Sequence, residues 1–244
     1  MRKHRFFINT KLELNSNIIL DADLSHYITR VLRLAAGDII FLFNNSGFEF
    51  QAQISNLSRN AVSVTITTNT PDAQESPLRI HLAQVLAKGE KMDLIIQKAT
   101  ELGVDSITPL HAERAIMKIN AEKIDNKLEH WQKIAIAASG QCWRNYVPQI
   151  NPPQGLFAWL ASVSTINKLI LSTTNTTQRL KDLNIKQNSA VTILIGPEGG
   201  FSDLELSAAL KHNFQAISLG PRILRTETAG LAVIASLQAL YGDS

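Results

Sequence analysis

The sequence predicts an α/β protein in two parts: a small β-barrel over residues 1–71 and an α/β domain with a parallel sheet over residues 72–244. Three observations predict it. Residues 1 to about 70 hold short runs rich in Ile, Val, Phe and Thr, separated by turn signals. A polar stretch bracketed by Pro71 and Pro77 then interrupts the chain. Beyond it, apolar runs of strand length alternate with helical periodicity, the pattern of a parallel sheet.

In the first part the expected strands are Phe6–Ile8, Ile18–Leu20, Asp38–Phe43, Phe48–Ile54 and Ala61–Thr68. Phe41 to Phe50 reads as a hairpin across Asn44-Asn45-Ser46-Gly47. Ser25 to Arg33 breaks the pattern with helical spacing that sets Tyr27, Val31 and Leu34 on one side. Basic residues gather at Arg2-Lys3-His4-Arg5, at Arg30 and at Arg33. Arg30 and Arg33 lie three apart, so a helix would place both on one face, within reach of successive phosphates. Any one such cluster can be a solvated face. Three in one small barrel, one of them beside Phe6 and Phe7, point to RNA contact.

In the second part, Ile80–Ala87 is an expected strand and Glu90–Leu102 a helix closed by Gly103. Val104–Leu110 is the next strand and Asn120 to Cys142 a long helix. After Pro148, Pro152 and Pro153 come a short helix, Leu156–Ala161, and a strand, Lys168–Thr173. Ala190–Ile195 then runs into Gly196-Pro197-Glu198-Gly199-Gly200-Phe201, and Ser202-x-x-Glu205 forms a capping box for the helix behind it. Ala216–Leu219 runs into Gly220-Pro221-Arg222-Ile223-Leu224-Arg225-Thr226-Glu227-Thr228. Read as the ends of adjacent parallel strands, these two proline-stiffened glycine loops form a ligand crevice. The last helix, Glu227 to Tyr241, is apolar on most sides. It packs on the back of the sheet or in a dimer interface.

Composition narrows the function. No run of 18 apolar residues occurs, so no transmembrane helix and no membrane partner are expected. One cysteine, Cys142, suits a reducing, cytoplasmic setting, and the six scattered histidines show no metal-binding spacing. A net charge of +3 permits a nucleic-acid partner through a local patch. The glycine fingerprint of dinucleotide sites, the phosphate-binding Gly-Lys-Ser/Thr and the Gly-x-Ser-x-Gly elbow are all missing from the sequence.

Several longer motifs carry a resemblance. They are Arg2-x-His4-Arg5-Phe6-Phe7, His26 with Val31-Leu32-Arg33 and Gly37-Asp38, Lys88-Gly89-x-x-Met92-Asp93, and Ile96-Gln97-Lys98-Ala99-Thr100-Glu101-Leu102-Gly103-Val104. Pro109-Leu110-x-x-Glu113-Arg114, Gly196 to Ser202, and Leu219-Gly220-x-x-Ile223-Leu224-Arg225-x-Glu227-Thr228-Ala229 complete the set. Over nearly its whole length the chain resembles the ribosomal RNA small subunit methyltransferase E family of the SPOUT superfamily. Against the usual pattern, Gly140 stands in place of a carboxylate, Trp143 in place of a small residue, and Lys91 where Arg is frequent.

The resemblance implies a PUA-like RNA-binding barrel followed by a SPOUT α/β domain that contains a trefoil knot and forms a homodimer. It implies S-adenosylmethionine (SAM) as methyl donor and N3 of one uridine in 16S rRNA of the small ribosomal subunit as acceptor. The SAM-binding residues are then Leu171, Ser172, Thr173, Ile195, Gly196, Pro197, Gly199, Gly200, Leu219, Gly220, Ile223, Leu224 and Thr228. No metal is implied. Arg225 is the candidate to meet charge developing on uracil, unless it forms a salt bridge to Glu227 or to a partner subunit. Glu198 and Glu227 are candidate bases, although carboxylates at helix starts also pair with the dipole. Arg2, Lys3, Arg5, Arg30, Arg33 and Arg144 are the expected RNA contacts. Gln97, Lys98, Thr100, Glu101 and Arg114 suit structural roles equally well. A non-catalytic RNA-binding assembly factor, or a methyltransferase acting on tRNA or a ribose 2′-oxygen, are the competing readings.

Overall fold

The computed structural model describes residues 4–58, 61–71, 75–115, 121–172, 178–186 and 188–243. It divides into two units: residues 1–75 with 139–146, and residues 76–138 with 147–244. This departs from a single cut after residue 71, because the last turn of the long helix and the segment behind it belong with the first unit.

In the first unit, β1 (Arg5–Phe7), β2 (Asn17–Ile19), β3 (Ile39–Phe43), β4 (Phe48–Leu57) and β5 (Val62–Pro71) form one sheet in the order β1-β3-β4-β5-β2. β3 and β4 make the expected hairpin, with Leu42 opposite Phe50. Asn45 (φ 62°) and Gly47 (φ 80°) supply its left-handed turn positions. Alternate residues of β4 and β5, among them Phe50, Ala52, Ile54, Val62, Val64 and Ile66, pack into one core with Ile28, Ile40 and Leu42.

The expected helix at Ser25–Arg33 is only partly α-helical. α1 (Ala22–His26) starts on the side chain of Asp21 and runs into a π-helical stretch, Tyr27–Leu32. The wider turn changes the phase. Ile28 is buried, while Tyr27 and Val31, expected on one side with Leu34, are 44% and 59% exposed. Arg33 sits past the helix end at φ 54°, so Arg30 and Arg33 do not share a helix face.

In the second unit, six strands lie parallel: β6 (Arg79–Val85), β7 (Ser106–His111), β8 (Gln149–Ile150), β10 (Asn167–Leu171), β11 (Ala190–Ile195) and β12 (Gln215–Ile217). Their order is β12-β10-β11-β6-β7-β8, and β9 (Gln154–Gly155) pairs with β7 off this path. Buried Leu194, Ile170, Ala83 and Val85 pack with Trp159 and Leu160 of α4 (Leu156–Ser162), Ala209 of α5 (Asp203–Lys211) and Phe214 behind it. α6 (Thr226–Tyr241) lies on the opposite face, where Gly230 is in contact range of Leu82, Gln84 and Ile195. α6 also packs on α2 (Lys91–Glu101), which ends as expected at Gly103 (φ 84°). α3 (Ile124–Cys142) buries Trp131, whose Nε1 donates to Asp93. Of the two places expected for the last helix, its Val233, Ile234 and Leu237 side fills the one on the sheet. Ala235, Ala239 and Leu240 stay exposed on its other side.

Candidate active site

The two glycine loops leave the carboxyl ends of β11 and β12, but these strands are not neighbours. β10 runs between them, with Leu169 to Leu171 paired to β12 and Asn167 to Ile170 paired to β11. The crevice therefore has three walls, and the third is the end of β10 at Leu171 and Ser172. Ser172 is buried and donates its backbone N–H to Ile217 O at 3.1 Å. Thr173, expected beside them, lies outside the described residues.

The first loop is held from several directions. A Cβ on Gly196 would lie 2.9 Å from the Phe201 ring, so only glycine lets the loop close on Phe201. Gly200 turns the chain at φ 68° and donates to Pro197 O at 2.9 Å. The capping box is present: Ser202 and Glu205 exchange side-chain and backbone hydrogen bonds at the start of α5. Glu205 also accepts from Glu113 N–H at 2.7 Å. Arg114 donates to Gly199 O at 3.1 Å and to Phe201 O at 3.4 Å, which makes it a support of this loop. Ile195 and Pro197 are buried beneath.

The second loop is more open. Gly220 (φ 112°) and Ile223, 85% exposed, lie at its surface, while Leu219 and Leu224 are half-buried. Its far end is anchored. Thr226 Oγ1 donates to Gly196 O at 2.7 Å and accepts from Gln84 Nε2 at 2.9 Å, all in the interior. One relay from β6 thus ties the end of the second loop to the start of the first. The sequence carried a signal for it, since Gln84 is a polar residue deep in the apolar run of β6. Thr228 is exposed one turn into α6.

A charge cluster joins the loops from outside. Lys91 Nζ lies 2.8 Å from Glu198 Oε1 and 3.3 Å from Glu227 Oε2. The second contact is an ion pair without hydrogen-bond alignment, for Glu227 Oε2 is buried and receives no hydrogen bond. Burial pushes the Glu198 carboxyl up, but the Lys91 hydrogen bond and charge and two backbone donors outweigh it and hold the carboxyl below its ordinary value. Lys91 is raised, chiefly by its hydrogen bond to Glu198. Glu227 is therefore engaged by Lys91, not by Arg225, and Arg225 is exposed with no ion pair to a described residue. Lys98 pairs with Glu101 along its own helix, and Thr100 is buried against Ile96 O, both structural uses. Among the described residues no cluster of three or more His, Cys, Asp or Glu could hold a metal ion.

Two of the expected RNA contacts are corrected. The Arg5 side chain is only 2% exposed and pairs with Glu49 at 2.9 Å. It also bonds to Asn145 Oδ1 and lies over the rings of Phe43 and Trp143, with 4.9 and 5.0 Å to the centroids. Arg144 is 9% exposed and grips both oxygens of Glu75, at 3.0 and 2.7 Å. Both guanidiniums are used inside the unit. Arg30 and Arg33 are exposed, and Arg2 and Lys3 lie outside the described residues.

The site fits SAM by its chemistry. Main-chain groups and half-buried leucines line the ends of three strands. Beside them, two carboxylates share one lysine, which leaves one negative charge. Such a place favours a ligand that carries a sulfonium and an ammonium.

Comparison with known proteins agrees. A family profile described as an RNA methyltransferase domain matches residues 74–238, and one described as an RNA methyltransferase PUA domain matches residues 20–67. The fold and these two matches define an RNA methyltransferase with a PUA-type front domain. A ribosomal RNA small subunit methyltransferase E from Buchnera aphidicola is 39% identical, covering 98% of this chain and 94% of its own. One from Bacillus subtilis is 31% identical, covering 89% and 90%. Among solved structures, the Neisseria gonorrhoeae ribosomal RNA small subunit methyltransferase E bound to SAM superposes with a TM-score of 0.92, at 35% identity and 99% coverage of both chains. A Legionella pneumophila structure with bound SAM gives 0.95, at 38% identity and full coverage of both. The chain belongs to the ribosomal RNA small subunit methyltransferase E family.

Proposed function

We propose that this chain transfers the methyl group of SAM to N3 of one uridine in 16S rRNA of the small ribosomal subunit, and that it does so as a homodimer. The observation that carries the reading is a crevice walled by the ends of three adjacent parallel strands, with an exposed arginine on the second loop. Main-chain groups of Ile195, Gly196, Leu219 and Leu224 would hold adenine and ribose, with Leu171 and Leu219 packed on the base. Pro197, Gly199, Gly200, Gly220, Ile223, Ser172 and Thr228 would complete the pocket. SAM, when bound, supplies a methyl carbon on a positive sulfur.

Uridine N3 carries a weakly acidic proton that must leave as the new N–C bond forms. Arg225, with no ion pair to a described carboxylate, would sit against the uracil oxygens and stabilise the negative charge that develops there. Of the two glutamates, Glu227 is the proposed proton acceptor, because Lys91 holds it less closely, at 3.3 Å against 2.8 Å for Glu198. Glu198, held ionised by Lys91, is the weaker base. The crevice orients donor and acceptor for in-line transfer.

Homodimer formation is supported by the apolar outer side of α6, where Ala235, Ala239 and Leu240 stay exposed. Sedimentation should give twice the chain mass. The trefoil knot belongs to the same reading, and the insertion of β11 between β10 and β6 supports it. Arg30 and Arg33 are the proposed phosphate contacts. The test of the whole is to delete the gene, digest small-subunit rRNA and measure its nucleosides. One N3-methyluridine should disappear and return with the wild-type gene; an unchanged profile overturns the proposal.

A further inference from the structure

In the first unit, Phe43, Arg5 and Trp143 form a stack. The Arg5 guanidinium lies 4.9 Å from one ring and 5.0 Å from the other. Arg5 cannot slide, because Glu49 and Asn145 hold it and its side chain is almost wholly buried. Trp143 itself stands at φ 69°, a conformation that bulky side chains rarely adopt. Yet the indole of Trp143 is 40% exposed. Tyr146, three residues on, is 39% exposed and sets its hydroxyl over Gly47, where a Cβ would come within 2.7 Å. A large ring held in a strained backbone, backed by a cation and partly exposed to solvent, is an arrangement that stacks nucleobases.

We propose that Trp143 is a stacking platform for an unpaired base of the RNA substrate. The proposal rests on the reading of this protein as an enzyme acting on RNA. It gives Arg5 a use that a phosphate contact would not: the guanidinium sits behind the indole and holds it still. It also makes recognition prefer single-stranded over paired RNA, since a base in a duplex keeps its faces against its neighbours.

The three tryptophans make the test direct. Trp131 and Trp159 are 0% and 3% exposed, so Trp143 alone among them reports contact with solvent-borne rings. The full chain is titrated with a decauridine oligonucleotide and with a single-stranded fragment of small-subunit rRNA, and indole emission is followed. Wild type should be quenched on binding. Trp143→Asn, whose side chain suits the left-handed backbone, should fold normally, show no quenching and bind the fragment roughly tenfold or more weakly. Trp143→Phe should recover most of that affinity, and a duplex of the same sequence should leave the emission unchanged. RNA binding without quenching, or equal affinity of Trp143→Asn, overturns the platform. So does a lowered melting temperature of Trp143→Asn with unchanged affinity, which would make the ring a cover for Arg5. Normal methylation of small-subunit rRNA alongside any of these would leave the enzyme reading intact. A wild-type chain that neither binds nor methylates that RNA would overturn both.

Discussion

Arg5 and Arg225 carry the same guanidinium into opposite surroundings. Arg5, in the first unit, is closed in by Glu49, Asn145 and two aromatic rings. Arg225, in the second, stands exposed at the start of α6, while Glu227, two residues on, is engaged by Lys91. The difference teaches that a basic motif marks a place where positive charge is needed, without saying whether the anion is part of the chain or part of a ligand. His81 shows a third outcome. It lies between Ser106 and Thr108 hydroxyls, and burial pushes it down to about 4 against a weaker opposing pull from Asp105, so it stays neutral.

The largest expected effect breaks the buried side of this comparison. Arg5→Met should cost about 3 kcal/mol or more of unfolding free energy, because it strands Glu49 and Asn145, and urea denaturation would measure it. An equally stable variant would mean that Arg5 is no internal cation. Arg225→Ala tests the exposed side. Its melting temperature and SAM affinity by calorimetry should match wild type while methyl transfer falls on the order of 100-fold. Loss of SAM binding would move Arg225 into the donor pocket.

Arg30→Gln with Arg33→Gln asks whether the exposed arginines of the first unit meet phosphate. The slope of log affinity against log salt should flatten by about 1.4 for two single-strand contacts. An unchanged slope would remove them from the interface. The smallest effect concerns Lys91. Glu198 is lowered in the folded state, so its pairing adds stability above its unfolded pKa and loses it as pH falls through the lower folded value. Lys91 is raised, so its share is lost as pH rises through its folded value. Melting temperatures of Lys91→Met should show a shallower dependence at both ends of the pH scale.

Local pattern carried most of the elements. Period-two runs in β3 to β5, the glycine stop at Gly103 and the Ser202–Glu205 box are set by neighbours in sequence, and each appears where it was expected. What local pattern lacked was pairing at a distance. Nothing in the runs of β10 to β12 says that β10 takes the middle place, and nothing near Arg5 announces Glu49 or Asn145. The π-helical stretch at Tyr27–Leu32 defeated the spacing argument for another reason: one wide turn shifts every later side chain around the axis. In the candidate site, the two loops were expected from their glycines and prolines, and both leave strand ends in the parallel sheet. What Gln84, Arg114 and Thr226 anchor became visible only with their partners, although Gln84 stood out as a polar residue in an apolar run.

The relay from Gln84 through Thr226 to Gly196 has a bearing on synthesis. Gln84 and Thr226 are 142 positions apart, so the strand that carries one end of the fastening leaves the ribosome long before the other. Until Thr226 emerges, the Gly196 carbonyl has no clasp and the crevice lacks one wall. On the proposed reading of this crevice as the donor site, capture of the methyl donor waits for chains whose translation has passed that point.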